Sequence, residues 1–386
     1  MASDWNQTTV GQFCPFKYGK GLPERERNAA GHVPVYGSNG VVGFHEAGLV
    51  EGPVIVIGRK GTVGAVHFST GSCWPIDTTF FIEDDEAARD IRFTYYLLKT
   101  LGLEHMNADS AVPGLNRDAA HAREVQIPPL PEQRAIASTL GAQDEKIELN
   151  RRMNETLEAI ARAIFKSWFV DFDPVRAKAE GRQPYGMDAE TATLFPDAFE
   201  DSPLGKIPHG WEVVNLSDLV EFSYGKALKA SERRPGPVPV HGSNGRVGWH
   251  DERLVEGPGI VIGRKGNPGV VTWVSTDFFP IDTTFFVVPR QAKQNWHYLY
   301  FALQELDLPS LNADSAVPGL NRNIAYMSNL LSPPPDVLQA FDDIRSSVVA
   351  RMHENDQESR ILGELRDRLL PELLSGSVRV DGPSEQ

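Results

Sequence analysis

Short apolar runs alternate along the chain with Gly-, Pro- and Asn-rich breaks, and twice this rhythm gives way to a long stripe of helical period. VIVIG (Val54–Gly58) and GIVIG (Gly259–Gly263) are bounded by Gly and Pro, as strands are. FTYYLLKTLGL (residues 93–103) and WHYLYFALQEL (residues 296–306) space their apolar residues as a helix does. Each such block closes on a proline cluster, IPPLPEQ at residues 127–133 and SPPPD at 332–336. Proline suits a first helical turn and restricts the residue before it. The first stripe then runs through Ile136, Leu140, Ile147, Leu157, Ile160 and Ile164. The second runs through Phe341, Ile344, Val348, Met352, Leu362, Leu365, Leu369 and Leu373, with Pro371 near its end. Gly141 and Gly363 are mild weak points in these stripes. Residues 132–170 would extend about 58 Å as one helix.

The chain states this pattern twice. VPVYGSNGVVGFHEAGLVEGPVIVIGRKG from Val33 returns as VPVHGSNGRVGWHDERLVEGPGIVIGRKG from Val238. PIDTTFF at Pro75 returns at Pro280, and NADSAVPGLNR at Asn107 returns at Asn312. All three pairs are offset by 205 positions. A repeat this long is a duplicated domain, not a solenoid unit. Trp5 with Trp211, and Tyr18-Gly19-Lys20 with Tyr224-Gly225-Lys226, need an offset of 206, so one residue is gained or lost before Val33. Asn150 and Asn355 also lie 205 apart, inside the helical stripes. An Asn in a coiled-coil seam specifies register at a cost in stability, whereas on a helix surface it would be unremarked; both readings stay open.

The expected architecture is α+β: two duplicated mixed α/β domains separated by two long antiparallel, coiled-coil-like helices. The layout is a first domain (1–130), a central helix (131–170), a connector (171–205), a second domain (206–335), a C-terminal helix (336–376) and a tail (377–386). The connector has no mate in the repeat, and Pro, Gly and acidic residues dominate it, with a short ordered turn expected near residues 191–195. Antiparallel helices would set the two domains at opposite ends of a rod, related by a pseudo-twofold axis.

Length, 386 residues, allows two or three domains with cores of their own. No apolar run reaches the roughly 18 residues that span a bilayer, and MASDWNQTTV lacks the basic and apolar regions of a signal peptide. A cytoplasmic protein without a membrane partner is expected. Cys14 and Cys73 both fall in the first copy, against Phe222, as a near match, and Phe278 in the second. They read as small buried hydrophobes in a reducing compartment, with a disulfide between them as the alternative. A net charge of −14 argues against a nonspecific nucleic-acid coat. The acidity is uneven: residues 171–205 and 336–386 carry −5 each and residues 1–130 carry −4, while 131–170 and 206–335 are balanced.

Catalytic chemistry is thinly represented. IGRKG lacks the GxxxxGK[ST] spacing of a phosphate loop, and HExxH, CxxC and GxSxG are absent. Of the histidines, His45 and His250 match, but His67 faces Thr272. Asp77 and Asp282 are the best repeated carboxylates, and beside threonines they read as turn or cap residues. Neither a catalytic group nor a metal site is expected. Binding chemistry is richer, because each copy repeats short polar loops on a strand-rich body. Arg59, Lys60 and Arg117, with Arg264, Lys265 and Arg322, are the candidate electrostatic anchors for phosphates. Tyr36, Ser38, Asn39, Thr62, Thr78 and Thr79 are the accompanying candidates in the first copy. His241, Ser243, Asn244, Arg246, Asn267, Thr283 and Thr284 are their counterparts in the second. For the Gly and Asn residues, mere turn-building is an equal reading.

Tyr36–Gly40, IGRKG, PIDTTFF, PPLPEQRAIA (residues 128–137) and FKSWFVDFDPVRAKAEGR (residues 165–182) together resemble the specificity subunit of type I restriction–modification systems. The resemblance covers essentially the whole chain. It implies two target-recognition domains, each reading half of a bipartite site on double-stranded DNA, with the helix pair as a ruler. It also implies two methyltransferase subunits and the restriction and translocase subunits as partners. S-adenosylmethionine for adenine methylation, with ATP and Mg for restriction, would be used by those partners, with no cofactor in this chain. Consistently, no NPPF- or DPPY-like tetrapeptide occurs; Asp173-Pro174 is followed by Val175-Arg176. Affinity for DNA phosphates could come largely from the partners.

Two near-identical copies related by a twofold axis would read opposite strands alike, so the site is expected to approach an interrupted palindrome. Differences between half-sites would come from Tyr36/His241, Val41/Arg246, Phe44/Trp249, Thr62/Asn267, Val63/Pro268 and His67/Thr272. Arg246 could pair bidentately with guanine, which Val41 cannot. Two alternatives remain: the specificity subunit of a related type II system with fused methyltransferase and nuclease, and a duplicated protein holding a small phosphorylated ligand.

Overall fold

The computed structural model describes residues 5–106, 114–290, 295–311 and 319–380. The NADS segments of the third repeated motif, residues 107–110 and 312–315, lie outside them, as do residues 1–4 and the end of the tail. The chain forms two compact units, Met1–Arg151 with Asp356–Gln386, and Arg152–Asn355. Both boundaries cut through the long helices, so each helix contributes one half to each unit.

In the first unit a four-stranded antiparallel sheet orders Lys17–Tyr18, Thr79–Glu83, Val54–Gly58 and Val66–Ser69. Val54–Gly58 is buried on both faces, which explains its unbroken apolar run. A second sheet pairs Val33–Gly37 with Gly40–His45 as a hairpin and adds Trp74–Pro75 in parallel. The helix Ile91–Thr100 covers the larger sheet, and Asp90 caps it by accepting the Phe93 N–H at 2.8 Å. Its core joins Ile55, Ile57, Phe80, Ile82, Phe93 and Leu97 to Ile136 and Leu140 of one long helix and Leu373 of the other.

The second unit repeats this order: Val220–Tyr224, Thr284–Pro289, Gly259–Gly263 and Val271–Val274 in one sheet, and the hairpin Val238–Gly242/Gly245–His250 with Phe279–Pro280 in the other. Its helix, Trp296–Glu305, is capped by Asn295 in the same way. Aromatic packing concentrates here: Phe165 meets Phe301 at 5.3 Å, Tyr298 at 5.8 Å and Phe341 at 5.9 Å.

The long helices run Leu130–Phe169 and Pro335–Leu374, 40 residues each and offset by 205. Within each unit their halves pack antiparallel. Asn150 and Asn355 are both only 1% exposed, which settles them in the seam. Asn150 donates to Glu358 at 2.8 Å and Ser359 at 3.3 Å, and Asn355 donates to Asn154 at 2.7 Å.

The stretch read as a connector is ordered and packed on the second unit. It forms helices Asp173–Ala179 and Ala189–Thr193 and a hairpin, Phe199–Ser202 with Gly205–Pro208. Phe172, Val175, Phe195 and Ile207 anchor it in the same core as Trp168 and Trp211. Three well-spaced apolar residues of the stretch, with Ile207 just beyond it, hold a segment whose composition is otherwise that of a linker.

Cys14 and Cys73 are free, buried, and belong to different clusters, so the disulfide alternative is excluded. Burial raises both thiols, to about 12 and about 11. The pairing of Cys14 with Phe222 needs correction. Phe222 occupies the place of Phe16, each donating its N–H to a side chain of the following short helix, His121 or Tyr326. Cys14 therefore corresponds to Val220, a fully buried apolar residue, as the offset of 206 requires.

Candidate nucleic-acid interface

The repeated loops converge on one backbone carbonyl in each unit. In the first, the Thr78 carbonyl accepts the N–H groups of Arg59 (2.9 Å) and Lys60 (3.1 Å) and the Ser38 hydroxyl (2.7 Å). Ser38 also bonds the Lys60 carbonyl. The Leu115 N–H donates to the Arg59 carbonyl at 2.9 Å, and Lys60 bridges Gly114. GSNG, GRKG, DTT and GLNR, scattered over eighty residues, thus form one surface. The second unit repeats it: the Thr283 carbonyl accepts Arg264 (2.9 Å) and Lys265 (3.1 Å), and Leu320 donates to the Arg264 carbonyl at 3.0 Å.

Close backbone packing requires glycine at the start of GRKG. A Cβ on Gly58 would lie 2.1 Å from the Thr62 carbonyl oxygen, and one on Gly263 would lie 2.0 Å from that of Asn267. The last glycine of the motif, Gly61 or Gly266, has φ +85° in both units.

Sequence reasoning passed over the residue at the centre of each cluster. Tyr18, 51% exposed, carries two guanidinium groups over its ring, Arg59 at 5.3 Å and Arg117 at 5.1 Å from the centroid. Tyr224, 53% exposed, carries Arg264 at 5.0 Å and Arg322 at 5.2 Å. The repeated Tyr-Gly-Lys was the available signal, and it served only for alignment. Arg59, Lys60, Arg264, Lys265 and Arg322 make no ion pair with a carboxylate among the described residues. Arg117 approaches only the exposed Asp118, at 3.5 Å. In a chain of net charge −14, two pairs of arginines stacked on aromatic rings, with only Arg117 beside a carboxylate, are suited to oxyanions.

The other candidates divide by exposure. Asn39, Thr62, Asn244, Arg246 and Asn267 are exposed, and Thr78, Thr283 and Ser243 are half-buried beside the cations. Ser38, Thr79 and Thr284 are buried and spend their hydroxyls within the fold, the threonines on the Ile76 and Ile281 carbonyls at 2.7 Å. Tyr36 is half-buried against His67, with ring centroids 6.3 Å apart. His241 is buried against Phe278, and desolvation followed by the Arg246 charge lowers its pKa to about 4. Of the positions that differ between copies, Val41/Arg246, Phe44/Trp249 and Thr62/Asn267 face outward, and Arg246 stacks on Trp249 at 4.7 Å. Tyr36/His241, Val63/Pro268 and His67/Thr272 are at least half-buried. Asp77 and Asp282 are exposed in the turns that the buried threonines close. No group of three metal-ligating side chains, and no helix long and apolar enough to cross a membrane, occurs among the described residues.

Residues 2–159 match the family model of the type I restriction modification DNA specificity domain. The chain is 28% identical over 332 residues to the specificity subunit of the type I restriction enzyme HindI of Haemophilus influenzae, covering 69% of this chain and 71% of that one. It is 23% identical over 323 residues to the MjaIX specificity subunit of Methanocaldococcus jannaschii, covering 75% and 69%. The crystal structure of the type I restriction-modification S subunit from M. genitalium shares its fold, with a TM-score of 0.62 at 18% identity over 96% of both chains. Duplicated strand-rich units, two equal helices and these matches agree: residues 2–159 carry the type I restriction modification DNA specificity domain, and the chain is similar over 69–75% of its length to specificity subunits of type I restriction enzymes.

Proposed function

We propose that the chain reads a bipartite site on double-stranded DNA, one half with each unit, and directs adenine methylation and restriction carried out by partner subunits. The observation that carries this reading is the twofold recurrence of the arginine–tyrosine cluster on a shared backbone hub. Phosphate contacts of this kind fix register without reading sequence. Differences between the half-sites then come from the outward positions that differ, Val41/Arg246, Phe44/Trp249 and Thr62/Asn267. Because the two units share their scaffold and their arginine–tyrosine clusters, the half-sites are expected to be near-copies on opposite strands. Two methyltransferase subunits supply S-adenosylmethionine chemistry, and restriction and translocase subunits supply ATP- and Mg-dependent cleavage.

The test is the methylome of a host carrying the system, followed by binding. A modified adenine in each half of an interrupted, near-palindromic motif is expected, and two unrelated half-sites would sink the palindrome. Arg59→Ala with Lys60→Ala should weaken binding to all sequences alike and flatten its salt dependence. If the chain assembled with methyltransferase subunits ignores DNA, the whole reading fails.

A further inference from the structure

The two long helices share their Asn layer but not their charges. Asn150 and Ser359 in the first unit correspond, at the offset of 205, to Asn355 and Asn154 in the second. That layer fixes register and is indifferent to which helix supplies which side. Besides the more exposed Lys146–Glu358 pair, at 3.1 Å, two ion pairs of less exposed groups flank it. In the first unit Asp144 of the central helix meets Arg366 of the C-terminal helix at 2.5 Å and accepts the Tyr96 hydroxyl at 2.6 Å. In the second, Glu158 of the central helix meets Arg345 at 2.8 Å and accepts the Tyr300 hydroxyl at 3.2 Å. Arg345 is 1% exposed, the largest fully buried side chain among the described residues, and lies over the Phe301 ring at 5.3 Å.

None of the four charges repeats. The equivalents of Asp144 and Glu158 are Val349 and Gly363, and those of Arg345 and Arg366 are Leu140 and Ala161. Both acids sit on the central helix and both arginines on the C-terminal one. In a pair of two central helices, Glu158 would face Leu140 and Asp144 would face Ala161. In a pair of two C-terminal helices, Arg345 would face Gly363 and Arg366 would face Val349. Each mispairing removes the cross-helix counter-charge of all four. Arg366 then keeps only Asp367 of its own helix, at 2.7 Å, whereas the buried Arg345 loses the carboxylate of Glu158, and an unpaired buried charge is strongly destabilising. Helix-end packing points the same way, with Phe165, Trp168 and Phe169 filling one core where Leu370, Leu373 and Leu374 serve the other.

We propose that the helices are charge-coded for each other, so that a central helix accepts a C-terminal helix and rejects a second copy of itself. Insofar as the units read half-sites, a reading that this consequence rests on, the code keeps one copy of each unit in every assembly. It thereby excludes complexes carrying the same unit twice, which would address a fully symmetric site.

The test uses the full-length chain with a protease site in the exposed loop around Tyr185, so that folded protein is nicked after purification and its two pieces remain packed. A second full-length protein carries the inverted code, Asp144→Arg and Glu158→Arg with Arg345→Glu and Arg366→Asp, and is nicked alike. The two are tagged differently, mixed, allowed to exchange in mild urea and captured through one N-terminal piece. Wild-type N-terminal pieces should recover wild-type over inverted C-terminal pieces by roughly tenfold or more, with a second N-terminal piece only at background. Statistical hybrids, or N-terminal pairs as abundant as the mixed ones, would overturn the proposal. Should the fourfold inversion not fold, the more exposed pair, Asp144 and Arg366, is inverted alone, and selective recovery is again required. Capture reads composition without DNA, so its failure is distinguishable from failure of the DNA-reading assignment.

Discussion

Replacing Tyr18 by Ala removes the ring that two guanidinium groups share, without removing either charge. An exposed cation–π contact contributes about 0.5–1 kcal/mol. With Arg59 at 5.3 Å and Arg117 at 5.1 Å on one ring, the loss of positioning is about 1–2 kcal/mol, or roughly 5- to 30-fold in DNA affinity. Tyr224→Ala should cost as much through Arg264 and Arg322, and the double variant should lose the sum, because the sites lie in separate units. The assay is titration of a labelled duplex carrying the modified motif, over about 50–200 mM salt. Since all cations remain, the slope of log affinity against log salt should stay at its wild-type value in Tyr18→Ala. Arg59→Ala should reduce that slope by about 0.9 for each phosphate that is no longer neutralised. Tyr18→Phe keeps the ring and should bind as wild type. The reasoning is refuted if Tyr18→Ala binds within twofold of wild type while Arg59→Ala is impaired, or if Tyr18→Phe is as weak as Tyr18→Ala.

Three further outcomes follow from the same geometry. Gly58→Ala drives a Cβ to within 2.1 Å of the Thr62 carbonyl oxygen; it should destabilise the first unit by about 1–3 kcal/mol, read as a lower melting temperature. His241 is held neutral by burial, with its pKa lowered to about 4, so the unfolded chain takes up a proton before the folded one does. Its contribution should therefore be intact above the ordinary histidine range and lost as pH falls from about 6.5 towards 4, by about 1.4 kcal/mol per pH unit. His241→Tyr, the residue found in the first copy, should shallow that slope in denaturation measured between these limits. Arg246→Val should relax base preference at one position of one half-site by about 1–3 kcal/mol and leave the other half-site unchanged, as read by competition between duplexes.

What could be read from the amino acids alone was whatever the chain says twice. The strands around Val54–Gly58, the capped helices, the two 40-residue helices and the paired cations all follow from repetition plus periodicity. Tyr18 was missed because an aromatic residue before Gly-Lys carries no sign of what stacks on it; that is a product of loops about forty and a hundred residues away. The anchoring of residues 171–205 was missed because composition averages over Phe172, Val175 and Phe195, whereas packing depends on where they fall. Burial of Asn150 and Asn355 had two readings because a polar residue in a stripe does not declare which side of it faces the partner helix. The ion pairs between the helices escaped notice for the opposite reason, since they are what the copies do not share.

The carbonyls of Thr78 and Thr283 have a consequence for how such a chain can change. Each holds its GRKG loop through main-chain donors, which any residue except proline can supply, and Ser38 alone adds a side-chain hydroxyl to the Thr78 carbonyl. The side chains of Val41, Phe44 and Thr62, or Arg246, Trp249 and Asn267, project from this framework without taking part in it. Surface chemistry can therefore drift, one substitution at a time, while the architecture that presents it is undisturbed. A duplication that began with two identical readers could diverge in what they prefer without passing through an unfolded intermediate.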